Sequence, residues 1–396
     1  MKNFITGRDN DRTATGAWMR LAHMPGGPGV VTARRLLAHF GLPEHIFAAS
    51  RAALLRVVSA THADALLAPP SAALQALIER TLAWLAGPEA SAGQGAEAGG
   101  MRAQRHLLTL ADAAYPPALL TIADPPLLLY ALGQAALLRQ SSVAVVGSRN
   151  ASRQGLLHAE RFSEALSHAG QTIVSGMALG IDSAAHEGGL RGPGSTVAVI
   201  GTGIDLVYPS RNGRLADRIA RQGCIVSEYP LGMPPLAANF PRRNRLISGL
   251  ARAVLVVEAA LRSGSLITAR VAADQGRDVL AIPGSIHSPM SKGCHVLIKQ
   301  GAKLVESVQD VLEELTDYGA GAGRQIDAVV APMASLLPST ADDDALLQHI
   351  GYDPITLDAL ALCSGQSTAS LQSDLLMLEL NGKVVLLPGG AYCRIA

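Results

Sequence analysis

"VAVVGSRNASRQGLLHAERFSEALSHAGQTIVSGMALG", residues 143–180, decides the fold. It opens on an uninterrupted apolar run and breaks at Gly147-Ser148-Arg149. A helical stretch over 153–169 follows, then a second apolar run that breaks at Ser175-Gly176. A strand with one face in water alternates apolar and polar residues, whereas a strand covered on both faces does not. Two covered strands joined by a helix read as a parallel pair with a crossover.

The pattern continues downstream. "TVAVIGTG" (196–203), "CIVSEYP" (224–230), "AVLVVEA" (253–259), "DVLAIPG" (278–284) and "AKLVES" (302–307) each run from apolar into small or turn residues. A helical segment at 211–222 separates two of them. The class is α/β, with a doubly wound parallel sheet. Ligands of such sheets sit beyond the carboxyl ends of the strands. Those ends are Gly147-Ser148-Arg149, Ser175-Gly176, Gly201-Thr202-Gly203, Ser227-Glu228-Tyr229, Glu258 and Pro283-Gly284. Glycine lets a ligand approach the backbone, and the helix N-termini beyond offer N–H donors to an anion.

Which anion is narrowed by "NFPRRNRLISGLARAVLVVEA" (239–259), with Arg242, Arg243 and Arg245 inside four positions. Guanidinium forks suit phosphates. A dinucleotide fits poorly: "GSRNAS" lacks two of the three fingerprint glycines, and in "GTGIDL" Leu206 stands where close helix packing needs Gly or Ala. No GxxxxGK[ST] loop is present. Asp182 and His186 lie one helical turn apart, a spacing that reads as structural or capping. Glu258 is the best candidate for catalysis, against which stand helix capping or pairing with Arg245 or Arg262. A polyanion that needs little chemistry remains. A single strand fits, with Phe240 and Tyr229 as possible stacking faces beside the charge.

At 396 residues, 48% of them apolar, the chain is long enough for two or three domains with a large core. Net charge is +1, so the whole molecule announces no nucleic-acid partner. The four cysteines, Cys224, Cys294, Cys363 and Cys393, form no CxxC pair and read as reduced thiols of a cytoplasmic protein. The N-terminal "MKNFITGRDNDRTATG" has no apolar core, and no run reaches the ~18 apolar residues of a membrane span. No metal site is expected.

Two Gly/Ala/Pro-biased segments, 87–104 and 317–344, read as linkers. They separate a helical part (1–86), the α/β part (105–316) and a tail (345–396). The helical part holds "MPGGPGVVTARRLLAHFG" (24–41), either a helix–hairpin–helix whose turn faces a phosphate or a plain helix pair. The tail reads helix, turn, helix and Gly-turned hairpin, a winged-helix arrangement. Its second helix carries Gln372, Asp374 and Glu379 but no Lys or Arg, so a protein contact or a structural role is expected over groove reading.

In this order, "VAVVGSR", "IVSGMALGIDSAAH", "VIGTGIDLVYP", "SEYP", "NFPRRNRLISGLA", "LVVEA", "SGSLITA" and "QGRDVLAIPG" closely resemble the DNA-processing protein A family, also called Smf, over about 105 to 315. The resemblance implies an extended Rossmann-type domain that binds single-stranded DNA without sequence preference. It implies protection of incoming DNA and its delivery to the RecA recombinase in natural transformation, by a homodimer without catalytic activity or cofactor. By the family's motifs Arg149 and Arg242 fall at DNA-contacting positions, with Arg243 and Arg245 completing the patch. The expected nucleic-acid-binding set is Gly147, Ser148, Arg149, Ser175, Gly176, Phe240, Arg242, Arg243, Asn244, Arg245, Ser263 and Gly264. One departure is Cys294-His295 in "KGCHVLIKQGA" (292–302), near the family's dimerisation region, where many relatives carry Thr-Asn. The runner-up is a nucleotide phosphoribohydrolase-like enzyme on the same kind of sheet. Those enzymes carry "PGGxGTxxE", and the comparable "RSGSLITA" (262–269) has no glutamate in register.

Overall fold

Each apolar run becomes a strand: β3 (Ser142–Val146), β4 (Thr172–Ser175), β5 (Thr196–Val199), β6 (Cys224–Ser227), β7 (Ala253–Val256), β8 (Asp278–Ala281) and β9 (Lys303–Leu304). Two earlier strands, β1 (Arg105–Thr109) and β2 (Leu128–Gly133), join them in one sheet of order β1-β2-β6-β5-β4-β3-β7-β8-β9. From β6 to β9 every pair is parallel. The pairs β1–β2 and β2–β6 are antiparallel, so the expected parallel sheet carries an antiparallel edge. The computed structural model describes residues 9–87, 103–286, 288–317, 346–347, 350 and 354–395. The chain divides into two compact units, Met1–Tyr318 and Gly319–Ala396.

Side chains alternate across a strand, and here both faces are dry. Val143, Val145, Ala253 and Leu255 pack with Ala159 and Leu166 of the Arg153–His168 helix and with Ala184 and Ala185 of the Ile181–Gly189 helix. Ala144, Val146, Val254 and Val256 face the other way, onto Leu246, Ile247 and Leu250 of the Asn239–Leu250 helix and Ala269 of the Gly264–Asp274 helix. Each fully buried Val or Leu contributes about 1.5–3 kcal/mol. The sheet is therefore wound by helices on both sides. Chain order runs outward from β3 through β4, β5 and β6, then resumes on its other flank at β7. The reversal between β3 and β7 opens a crevice at their carboxyl ends.

The helical leader, from Asp9–His23 to Ala72–Ala86, belongs to the first unit. Met19 packs in one cluster with Tyr130 of β2, whose hydroxyl donates to Met19 Sδ at 3.3 Å. Arg105 Nη1 donates to the carbonyl of Trp84 at 2.8 Å. The glycine turn at 26–29 enters the Val30–Phe40 helix, whose start has no side-chain cap. The linkers expected over 87–104 and 317–344 lie outside the described residues except for 87, 103, 104 and 317.

In the second unit the helices Leu357–Ser364 and Thr368–Leu380 are followed by a hairpin of β11 (Val384–Leu387) and β12 (Ala391–Arg394), with β10 (Ile355–Thr356) on its edge. Leu360, Leu371, Leu375, Leu378 and Val384 fill its core. This is the winged helix the tail suggested.

Candidate nucleic-acid interface

The crevice is built from the turn after β3. Val257 N–H donates to Val146 O at 3.1 Å and Ser148 N–H to Glu258 O at 2.7 Å, which pins the turn to the end of β7. Ser148 is buried, its Oγ accepting the Asn150 N–H at 3.1 Å, while Arg149 between them stays exposed. The Glu258 carboxylate accepts the Ser152 N–H at 2.9 Å and the Ser152 hydroxyl. Ser152 in turn caps the Arg153–His168 helix by accepting the Gly155 N–H at 3.0 Å. A Cβ at Gly155 would stand 2.3 Å from the Glu258 Cδ, so only glycine admits the carboxylate there. Glu258 thus occupies a helix N-terminus of the kind that takes phosphate in nucleotide-binding sheets. It anchors a helix start, as its capping reading allowed, but on an earlier helix than the one it precedes.

The three arginines do not form one patch. Successive helical residues are rotated by about 100°, so neighbours point to different sides. Arg242 has 59% of its side chain exposed, with Nε 3.8 Å from the Glu228 carboxylate. Arg243 is 4% exposed, and its Nη1 donates to Gly176 O at 2.6 Å and to Val199 O. Burial lowers its pKa to about 10, with Asp182 opposing, so it stays charged at neutral pH. Arg245 is buried as well and pairs with Glu228 and, at 3.0 Å, with Asp124. Burial raises the Glu228 carboxyl, against the pull of Arg245 and Arg242.

Phe240 is half-buried with its ring 5.8 Å from the Arg149 guanidinium carbon and 5.6 Å from the ring of Tyr208. A Cβ at Gly201 would stand 3.2 Å from that ring, so a glycine there makes room for the phenylalanine. Tyr208 is exposed, and the sequence reading missed it; its signal is an aromatic in the turn "LVYP" after β5. Tyr229 is not a stacking face: it is 6% exposed and its hydroxyl donates to Asn239 O at 3.0 Å.

The other expected residues divide the same way. Ser175 is buried, donating to Val145 O at 2.7 Å, and Gly176 is packed against Arg243 and Asp182. Gly147 lies against Ile181 and Glu258 O. Asn244 is partly exposed, Ser263 caps the Gly264–Asp274 helix and Gly264 is open to solvent. Asp182 and His186 are buried and accept loop N–H groups from Ala178 and Met177, in keeping with the structural reading of their spacing. A cleft of about 540 Å³ beside Arg242 is lined by Asp124, Arg245, Asp274 and Gln275, a balanced charge that gives an anion no added pull. Among the described residues, no three His, Cys, Asp or Glu side chains could group around a metal, and no helix is long and apolar enough to cross a membrane.

The chain matches the family model of the DNA recombination-mediator protein A over residues 106–316 and that of the DprA winged helix domain over 330–390. It is 43% identical over 324 residues to Protein Smf of Escherichia coli (strain K12), covering 80% of this chain and 81% of that protein. It is 52% identical over 206 residues to the DNA processing protein DprA of Streptococcus pneumoniae, covering 52% of this chain and 73% of that one. The X-ray structure of DNA processing protein A from Streptococcus pneumoniae superposes with a TM-score of 0.57 at 37% identity, over 75% of this chain and 95% of the other.

Proposed function

Since the chain belongs to the DNA recombination-mediator protein A family, we propose that it binds single-stranded DNA at the carboxyl edge of its sheet. There it protects incoming DNA and delivers it to the RecA recombinase during natural transformation, in the cytoplasm and as a homodimer. The observation that carries this reading is the exposed Arg149 beside the half-buried ring of Phe240, with a second exposed cation, Arg242, on the same arginine-bearing helix as that ring. A cation beside an aromatic face, with further exposed charge nearby in the chain, suits a backbone that carries phosphates and unstacked bases. Arg243 and Arg245 hold the frame, since their guanidiniums already serve carbonyls and carboxylates.

The role is binding without bond-breaking. The Glu258 carboxylate accepts hydrogen bonds from Ser152 at the start of a helix, and "RSGSLITA" (262–269) has no glutamate in register; both weigh against the phosphoribohydrolase reading. Fluorescence anisotropy with labelled single- and double-stranded oligonucleotides over a salt series tests the proposal, beside an assay for nucleoside monophosphate hydrolysis. Single strands bind more tightly, and affinity falls as salt rises because phosphate contacts release counterions. Equal affinity for blunt duplex, or a flat salt dependence, refutes it.

A further inference from the structure

Arg243 lies in the basic run yet inside the protein, where it spans the ends of two neighbouring strands. It donates to Gly176 O, one residue past β4, and to Val199 O, the last residue of β5. The loop it grips, Gly176 to Gly180, is held from several sides. Asp182 Oδ2 accepts the Ala178 N–H at 3.3 Å, and His186 Nε2 accepts the Met177 N–H at 3.3 Å. Asn212 Nδ2 donates to Met177 O at 2.8 Å, and the Ser183 hydroxyl donates to Ala178 O at 2.6 Å.

The protons account for themselves. The Thr196 hydroxyl donates to Ile173 O at 2.8 Å, so its oxygen accepts from His186 Nδ1 at 2.7 Å. His186 is therefore neutral, with its proton on Nδ1 and its Nε2 lone pair aimed at Met177. Five successive backbone groups, from Gly176 O to Ala178 O, have side-chain partners. Met177 has φ 62, a left-handed conformation that a non-glycine residue keeps only where its surroundings over-determine it.

The far end of this loop supports the turn that carries Arg149. Ile181 N–H donates to Ser148 O at 3.1 Å. Gly180, at φ 80, lies so close that a Cβ would stand 2.3 Å from Ser148 O and 2.6 Å from Arg149 O.

We propose that Arg243, Asp182, His186 and Asn212 are positioning residues: they hold the Gly176–Gly180 loop in the shape on which the Arg149 turn rests. They act on the DNA strand through Arg149 and do not touch it. This rests on the reading of Arg149 as a phosphate contact.

The test is a double-mutant cycle on the full-length protein, read by anisotropy with a labelled single strand, with thermal unfolding as the check on folding. Asp182→Asn removes a negative charge near a polyanion site, so electrostatics alone expects equal or tighter binding. Positioning expects the opposite, a loss of about tenfold, which shrinks to within about twofold in an Arg149→Ala background because coupled residues are not additive. Asn212→Ala changes no charge and repeats the measurement if the Asp182 variant does not fold. Unchanged or tighter binding, or equal losses in both backgrounds, overturns the proposal while leaving the DNA reading intact. A wild-type protein that does not bind, or an Arg149→Ala variant that binds as well as wild type, overturns both.

Discussion

Replacing Arg149 or Arg242 by alanine removes one exposed guanidinium and nothing from the core. A charge-assisted contact to phosphate is worth about 1.5–3 kcal/mol, and ~1.4 kcal/mol is tenfold in affinity. Each variant should therefore bind single strands roughly ten- to a hundredfold more weakly, for every sequence, with the salt slope reduced by about one. The unfolding midpoint should not move for Arg149→Ala and should move little for Arg242→Ala, because Arg245 still pairs with Glu228. Anisotropy over a salt series checks this, and a loss with an unaltered slope refutes the phosphate contact. His186 gives a prediction of a different kind. Burial lowers its pKa to about 3, from 6.5 when free. Below pH 6.5 the unfolded chain takes up a proton that the folded one refuses, so this histidine's contribution is complete above 6.5 and declines as pH falls toward 3. At pH 5 the decline is about 2 kcal/mol, since one pH unit corresponds to ~1.36 kcal/mol. Denaturant midpoints measured between pH 7 and 5 should fall more steeply for wild type than for His186→Gln; parallel slopes would show that His186 is not the group responsible. The composition of "RRNR" marked this region, but which arginine meets solvent depends on the helix's rotation against the sheet, and only packing determines that. The same holds for Tyr229, which reads like Tyr208 in one dimension and is buried in three.

At the scale of elements, the parallel strands from β3 to β8 were legible because burial on both faces leaves continuous β-branched runs. The antiparallel edge was not. β1 and β2 are separated by prolines at 116, 117, 125 and 126, which mark turns, and nothing in either run states the direction of its partner. "AKLVES" shrinks to the two residues of β9 because the strand sits on the sheet's edge, where one neighbour supplies all the pairing. The family motifs lay on the strand ends and the arginine helix, and the family they suggested is the one whose model the chain matches. The winged helix was legible from its helix, turn, helix and hairpin order. Its second helix, Thr368–Leu380, exposes Leu376, Met377 and Leu380 and carries Asp374 and Glu379 with no Lys or Arg. Such a surface repels phosphates. Truncation after residue 317, the end of the last helix of the first unit, should leave single-strand affinity within about threefold, because no phosphate contact is lost. A larger drop in the anisotropy titration would assign this unit part of the DNA surface.

For the molecule as a whole, the proposed homodimer needs a face that is apolar and accessible. Leu261 is 62% exposed and Ile286 68%, and the two line one shallow cleft with Lys292, His295, Val296 and Lys299. Cys294 lies inside that segment but is buried, while His295 Nε2 lies 3.0 Å from Gly284 O. Contiguous exposed apolar residues rimmed by polar ones mark association surfaces, and a stable interface covers about 1,200–2,000 Å² in total. Two-fold symmetry brings the same patch of both copies together, so one charged substitution enters the interface twice. Leu261→Asp combined with Ile286→Asp should convert the protein to folded monomers, since neither side chain belongs to the core, with the unfolding midpoint lowered only by the part that association contributed. Light scattering should then report twice 41.0 kDa for wild type and 41.0 kDa for the double variant. A wild-type mass of 41.0 kDa at every concentration would remove the dimer, and a double variant that stays dimeric would move the interface to another face.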